Sequence, residues 1–377
     1  MSTAFRRHLS HLAIGAGLVL AIFVYNAVPG LTVPGLGQPL WVTTFAQSIA
    51  NQNLLALTSN NTGVPLPSPM AFGLPGAYSL ALLLRMGMAA PTGYALMCAA
   101  WLAVAYAGAI RLAIRLGLTR MRGALLATVW LCLPMVWIHA SYSMLSIGFA
   151  MLPAYLVPVF DAGQPGARRG VRWWALIGLR LTLVGIVSAF MDGYTFVMYA
   201  LASVAWLASI LFADWREHRA RQWWGILVQL GALILAALLY RLYVGGSDYW
   251  VAPLSAFRGW GADLAFLTQP TSGVSWLGDL LHISQHRDID QWFGDRSVWE
   301  TTFLLPLICA SVIAWRAATS RQGWRMATLA MLLFGVYMSL GPSLKAWSQR
   351  ADATVMADGD IHFMPESAAR MPTGSGW

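Results

Sequence analysis

Side chains able to do chemistry gather late in this chain. Between Gly245 and Glu300 lie seven carboxylates (Asp248, Asp263, Asp279, Asp288, Asp290, Asp295 and Glu300), two histidines and three arginines. The first 160 residues, by contrast, hold no Asp or Glu. The densest cluster is His282-Ile-Ser-Gln-His286-Arg287-Asp288-Ile-Asp290. On a helix His282 and His286 would share one face, and His286, Asp288 and Asp290 would offer nitrogen and oxygen ligands to a divalent ion, the one cofactor this pattern suggests. A carboxylate from the set Asp248, Asp263, Asp288 and Asp290 suits equally well a general base that takes the proton of an acceptor hydroxyl. The plain alternative is a solvated loop held by Arg287 salt bridges, because a His-x3-His pair without the zinc-protease glutamate is not diagnostic. Arg258, Arg287 and Arg296 match a pyrophosphate bidentately, or serve as ordinary surface arginines.

Four further positions stand outside that cluster. Asp192 ends one apolar run just before Gly193 and Tyr194 begin another. A charge at a membrane edge faces a cavity or a partner, which makes Asp192 a candidate catalytic acid or base. Its plain alternative is a cap for the helix that starts at Tyr194. Arg180 lies about 12 Å beyond Arg172 along a helix and has three options: to snorkel, to pair within the bundle, or to hold a lipid phosphate. Asp192 is about 18 Å further along the same helix and is too distant to be its partner. His139 ends another apolar run and is a substrate-contact candidate, although an interfacial structural histidine is the plainer reading.

These groups must be positioned by apolar elements. Of 377 residues 58% are hydrophobic and 10% charged, against about 25% charged in soluble domains, and mean hydropathy is +0.59. The pattern is that of an all-α polytopic transmembrane bundle. The net charge of +9 does not indicate nucleic acid, since the basic residues fall in short clusters between apolar runs rather than along one face. Cys98, Cys132 and Cys309 lie inside apolar runs without metal or redox spacing.

Taken in order, nine spans are expected near 11–29, 94–116, 124–140, 142–160, 173–191, 194–213, 223–244, 301–315 and 326–341. Phe72 to Met86, short and interrupted by Pro75, is read as interfacial or re-entrant, and a helix within Trp41 to Leu57 as lying in the interface. That choice places 15 of the 24 basic residues, and the N-terminus, on the cytoplasmic side of the inner membrane. Twelve of the 15 acids then fall outside or at the outer boundary, with Asp161, Asp214 and Glu217 in cytoplasmic loops. The expected organisation is a transmembrane domain over 1–341, with external loops at 30–92 and 245–300. A polar external tail follows at 342–377, where the chain reads as cut short.

This plan, together with Phe72-Gly73-Leu74-Pro75-Gly76-Ala77-Tyr78, the Arg111 to Arg122 loop and Ser339-Leu340-Gly341-Pro342, resembles the GT-C superfamily of membrane glycosyltransferases, more closely its YfhO-like bacterial branch. The resemblance implies a GT-C-like fold and transfer of a sugar from a polyprenyl-phosphate carrier to an envelope glycan or lipid acceptor at the outer face. Members usually carry a catalytic acid in the first external loop, whereas 31–70 offers Gln, Asn, Ser and Thr. No catalytic residue therefore carries over. A non-catalytic scaffold or accessory subunit of polysaccharide assembly is the second expectation, and a transporter the third.

Overall fold

An apolar run at membrane depth can close its backbone hydrogen bonds only internally, so the runs between the arginine clusters are helices. The computed structural model describes residues 3–33, 38–53, 56–60, 68–139, 142–163, 170–213, 219–245, 261–288, 292, 296–301, 303, 312, 322–340, 343–347 and 369–370. They are mostly helical and fall into two compact units, Met1–Ser247 and Asp248–Trp377.

The first unit contains α1 (Thr3–Tyr25), α2 (Gln38–Asn51), α3 (Leu74–Arg85), α4 (Ala90–Arg115), α5 (Arg120–Leu131), α6 (Pro134–Trp137), α7 (Ser143–Gly163), α8 (Val171–Met191), α9 (Gly193–Ala213) and α10 (Arg219–Val244). Among its described residues one strand pair, β1 (Thr58–Ser59) with β2 (Ser68–Pro69), is antiparallel and two residues long. Among the described residues, five helices are long and apolar enough to cross a membrane: His8–Tyr25 within α1, then α4, α7, α8 and Trp223–Val244 within α10. Gly193–Ser209 is a shorter apolar helix. The five long helices match five of the nine expected spans, and the expected span at 194–213 falls on the shorter helix. The segment expected at 124–140 is broken instead: α5 stops after 12 residues, about 18 Å, and Pro134 starts a new short helix. The span expected at 301–315 lies mostly outside the described residues, and that at 326–341 falls on the 18-residue helix Gln322–Ser339 of the second unit.

α7 is the centre of the first unit, packed against α4, α8 and α9. Small residues let the helices close up where lipid offers no hydrophobic drive. A Cβ at Gly108 of α4 would lie 2.2 Å from the Ala154 Cβ of α7, so only glycine fits there. The chain between α1 and α4 returns to the end it left. The Tyr25 hydroxyl donates to the Ser143 carbonyl at 3.1 Å, and the Tyr94 and Ser143 hydroxyls are hydrogen-bonded. The 12-residue α3 therefore lies along that end of the unit.

The second unit has short helices at Leu264–Thr268, Trp276–Leu280 and Arg296–Thr301, then Gln322–Ser339, and an antiparallel pair, β3 (Ser343–Leu344) with β4 (Ala369–Arg370). Ala265, Phe266, Trp292 and Trp299 form its small core. Two expectations change here. Residues 282–288 are not helical: His282 has φ 55°, and Gln285 bonds back to Pro270 and Ser272, which leaves His282 and His286 without a shared helical face. Residues 343–347 are no free tail. The Leu264 amide donates to the Lys345 carbonyl at 2.9 Å, the Trp347 amide to Asp263 Oδ1 at 2.9 Å, and Lys345 is buried.

Candidate functional site

Asp192 sits between α8 and α9, one residue past the Val171–Met191 span, with only 4% of its surface exposed. It turns the chain from one helix into the next. Its Oδ2 accepts from the Thr195 amide at 2.9 Å, while the Thr195 hydroxyl donates to the Asp192 carbonyl at 3.1 Å. These are the bonds of a helix N-cap. Burial pushes the carboxyl above the usual carboxylate range, against the opposing pull of the Thr195 and Tyr194 hydrogen bonds. The Tyr155 hydroxyl of α7, in electrostatic range of Asp192, has no hydrogen-bond partner among the described residues.

The first loop is latched beside this acid. Gly73, at φ 90°, caps α3, and its amide is shared between the Phe190 and Met191 carbonyls at 2.9 and 3.1 Å. A side chain is excluded twice over at Gly73, by that φ and by Met144 Cγ, 2.6 Å from where a Cβ would lie. The Tyr243 hydroxyl of α10 accepts from the Met70 amide at 2.9 Å. Phe72 stacks with Tyr240 at 6.3 Å, and Phe190 meets Tyr240 and Tyr243 edge-on. Phe72 and Tyr194 keep exposed faces beside the buried acid.

At the opposite end of the unit, Arg180 takes the second of its three options. Its Nη1 lies 3.0 Å from Asp161 Oδ2, and Arg115 Nε lies 3.2 Å from Oδ1. Asp161, expected in a cytoplasmic loop, is instead within α7 and 8% exposed. The sequence held one signal for this triad, namely an acid appearing after 160 acid-free residues.

In the second unit Arg287 is no surface arginine. It is 6% exposed, lies 5.0 and 5.2 Å over the Phe266 and Trp292 rings, and donates to Thr271 Oγ1 at 2.7 Å and to the Gln269 carbonyl at 3.2 Å. Thr271 passes the interaction on to the Trp299 carbonyl at 2.8 Å. Asp263, 1% exposed, caps Leu264–Thr268 by accepting from the Ala265 amide at 2.8 Å. Both residues hold the local fold together, and neither faces an acceptor or a carrier phosphate from the surface. Sequence distance hides such roles, because Arg287 and Ala265 are brought together only by the return of the chain through Gln285.

The remaining candidates are dispersed. His282, His286 and Asp288 are exposed, and among the described residues no group of three or more His, Cys, Asp or Glu is placed to hold a metal. His139 is half-buried in a turn, its carbonyl accepting from the Tyr142 amide at 2.7 Å. Arg296 begins a short helix, and its side chain lies outside the described residues, as do Asp248, Arg258 and Asp290 altogether. Among the described residues, Asp192 is therefore the one expected acid that is buried beside the first loop. No protein-family model matches the chain, nor does any curated protein or solved structure.

Proposed function

We propose that this chain is a multi-pass bacterial inner-membrane transferase of GT-C type, with a cytoplasmic N-terminus, that moves a sugar from a polyprenyl-phosphate carrier to an envelope glycan or lipid acceptor. One observation supports it above the others: a carboxyl at 4% exposure, raised by burial, stands where the Gly73 latch joins the first loop to the end of α8. A carboxyl tuned upward by burial matches what general-base work near neutral pH requires. In this reading Asp192 takes the acceptor hydroxyl proton as its oxygen bonds the sugar C1, and the bond from C1 to the carrier phosphate breaks, so the phosphate leaves with the carrier. The aromatic faces of Phe72 and Tyr194 flank the sugar.

A second reading, a non-catalytic scaffold of polysaccharide assembly, draws on the use of both Asp192 and Asp263 as helix caps. Asp192→Asn separates the two, because asparagine caps as well as aspartate but cannot accept the proton. With normal protein levels, loss of the glycan in a deletion strain carrying Asp192→Asn supports the transferase. Full restoration of the glycan sinks it and leaves the scaffold.

A further inference from the structure

The end of the first unit opposite Asp192 carries an open groove of about 470 Å³, lined by His11 and Ile14 of α1, Ala107, Ile110, Arg111, Ile114 and Arg115 of α4, and Arg120 of α5. Its volume is in the range of ligand sites. Its walls are chemically divided: Ile14, Ala107, Ile110 and Ile114 are apolar, while His11, Arg111, Arg115 and Arg120 carry or can carry positive charge. His11 and Ile14 belong to the span His8–Tyr25, and the α4 residues to the span Ala90–Arg115, so the groove opens at the level where those helices leave the hydrocarbon. The Asp161 carboxylate pairs with Arg115 Nε and Arg180 Nη1, which fixes the Arg115 guanidinium in place. Arg111 and Arg120 are exposed.

We infer that this groove binds one anionic diacyl phospholipid, its phosphate between Arg111, Arg115 and Arg120 and an acyl chain along Ile14, Ile110 and Ile114. Charge complementarity selects the headgroup, and the apolar wall at membrane depth selects a lipid over a soluble phosphate. Arg115 meets the phosphate already oriented by Asp161, so less side-chain freedom is lost on binding than for an unrestrained arginine.

The test uses the full chain in nanodiscs of phosphatidylcholine with increasing phosphatidylglycerol, read by native mass spectrometry and melting temperature. The expected result is one retained phosphatidylglycerol and a higher Tm than in phosphatidylcholine alone. The double variant Arg111→Gln with Arg120→Gln should keep its Tm in phosphatidylcholine and retain phosphatidylglycerol about 30-fold more weakly. If the double variant lowers Tm in phosphatidylcholine, Arg120→Lys, which keeps the charge, should restore phosphatidylglycerol retention when paired with wild-type Arg111. Equal stabilisation by the two lipids, unchanged retention in the double variant, or an equal Tm rise with soluble glycerophosphate would overturn the assignment.

Discussion

Tyr25, the last residue of α1, and Tyr94, in the first turns of α4, both hydrogen-bond to Ser143 at the start of α7. The chain between them leaves and re-enters the bundle at one end, so 68 residues of loop and two helices make no net crossing. That relationship carries a topology without reference to charge.

Cysteine labelling in a cysteine-free background checks it. Leu31→Cys and Ala89→Cys, both at exposed positions, should react from the same side of the membrane. Leu116→Cys, at the far end of α4, should react from the opposite side. Labelling of 31 and 89 from different sides would mean that α3 crosses.

Asp161 holds two arginines from neighbouring helices, so its loss removes the counter-charge that both share among the described residues. Asp161→Asn should destabilise the chain by about 1–3 kcal/mol, below the figure for a fully buried pair because the arginine side chains are 44% and 32% exposed. Arg180→Gln should cost less, since Arg115 still satisfies the carboxylate. A Tm drop for Arg180→Gln as large as that for Asp161→Asn would show that Arg115 contributes nothing.

Close approach of α4 and α7 predicts opposite results at two glycines. Gly108→Ala puts a methyl 2.2 Å from Ala154 Cβ and should cost about 1–3 kcal/mol by forcing the helices apart. Gly231→Ala meets nothing within 4 Å and should be neutral or stabilising by up to about 1 kcal/mol. Detergent-solubilised thermal unfolding of the two variants makes the comparison.

Lys345 is buried in the second unit, and desolvation lowers its pKa to about 8 while Asp263 opposes the shift. Its ordinary value is 10.5. Between these values the unfolded chain holds a proton that the folded chain has released, so stability rises with pH across that window, by up to about 3 kcal/mol. Lys345→Met should remove the rise. If wild type and variant show parallel Tm curves from pH 7 to 10, the lysine is not titrating as its burial requires.

Much of the membrane scaffold was legible in the residues. Long apolar runs between arginines became α1, α4, α7, α8 and α10, because hydrocarbon leaves the backbone no other way to satisfy itself. Pro75 and the shortness of its run marked the Phe72 to Met86 segment as a short helix, and α3 has 12 residues. The break at Cys132 was missed because Pro134 sits in an otherwise continuous apolar run. Polar residues were harder to read. Asp161, Arg287 and Lys345 each look like surface charges along the chain, and each is buried by partners far away in sequence. Asp192, flanked at once by its own helix ends, had its cap written locally.

The Gly73 latch also sets a timetable for biosynthesis. Its carbonyl partners, Phe190 and Met191, are made more than a hundred residues later. At typical ribosomal speeds of about 5–20 residues per second, the first loop waits on the order of 6–24 s before its dock exists. Until then the Gly73 amide at the start of α3 lacks the end of α8 as its partner, and the membrane interface is the nearest refuge for the apolar face of α3. The first loop to emerge is thus locked only once half of the chain has been made.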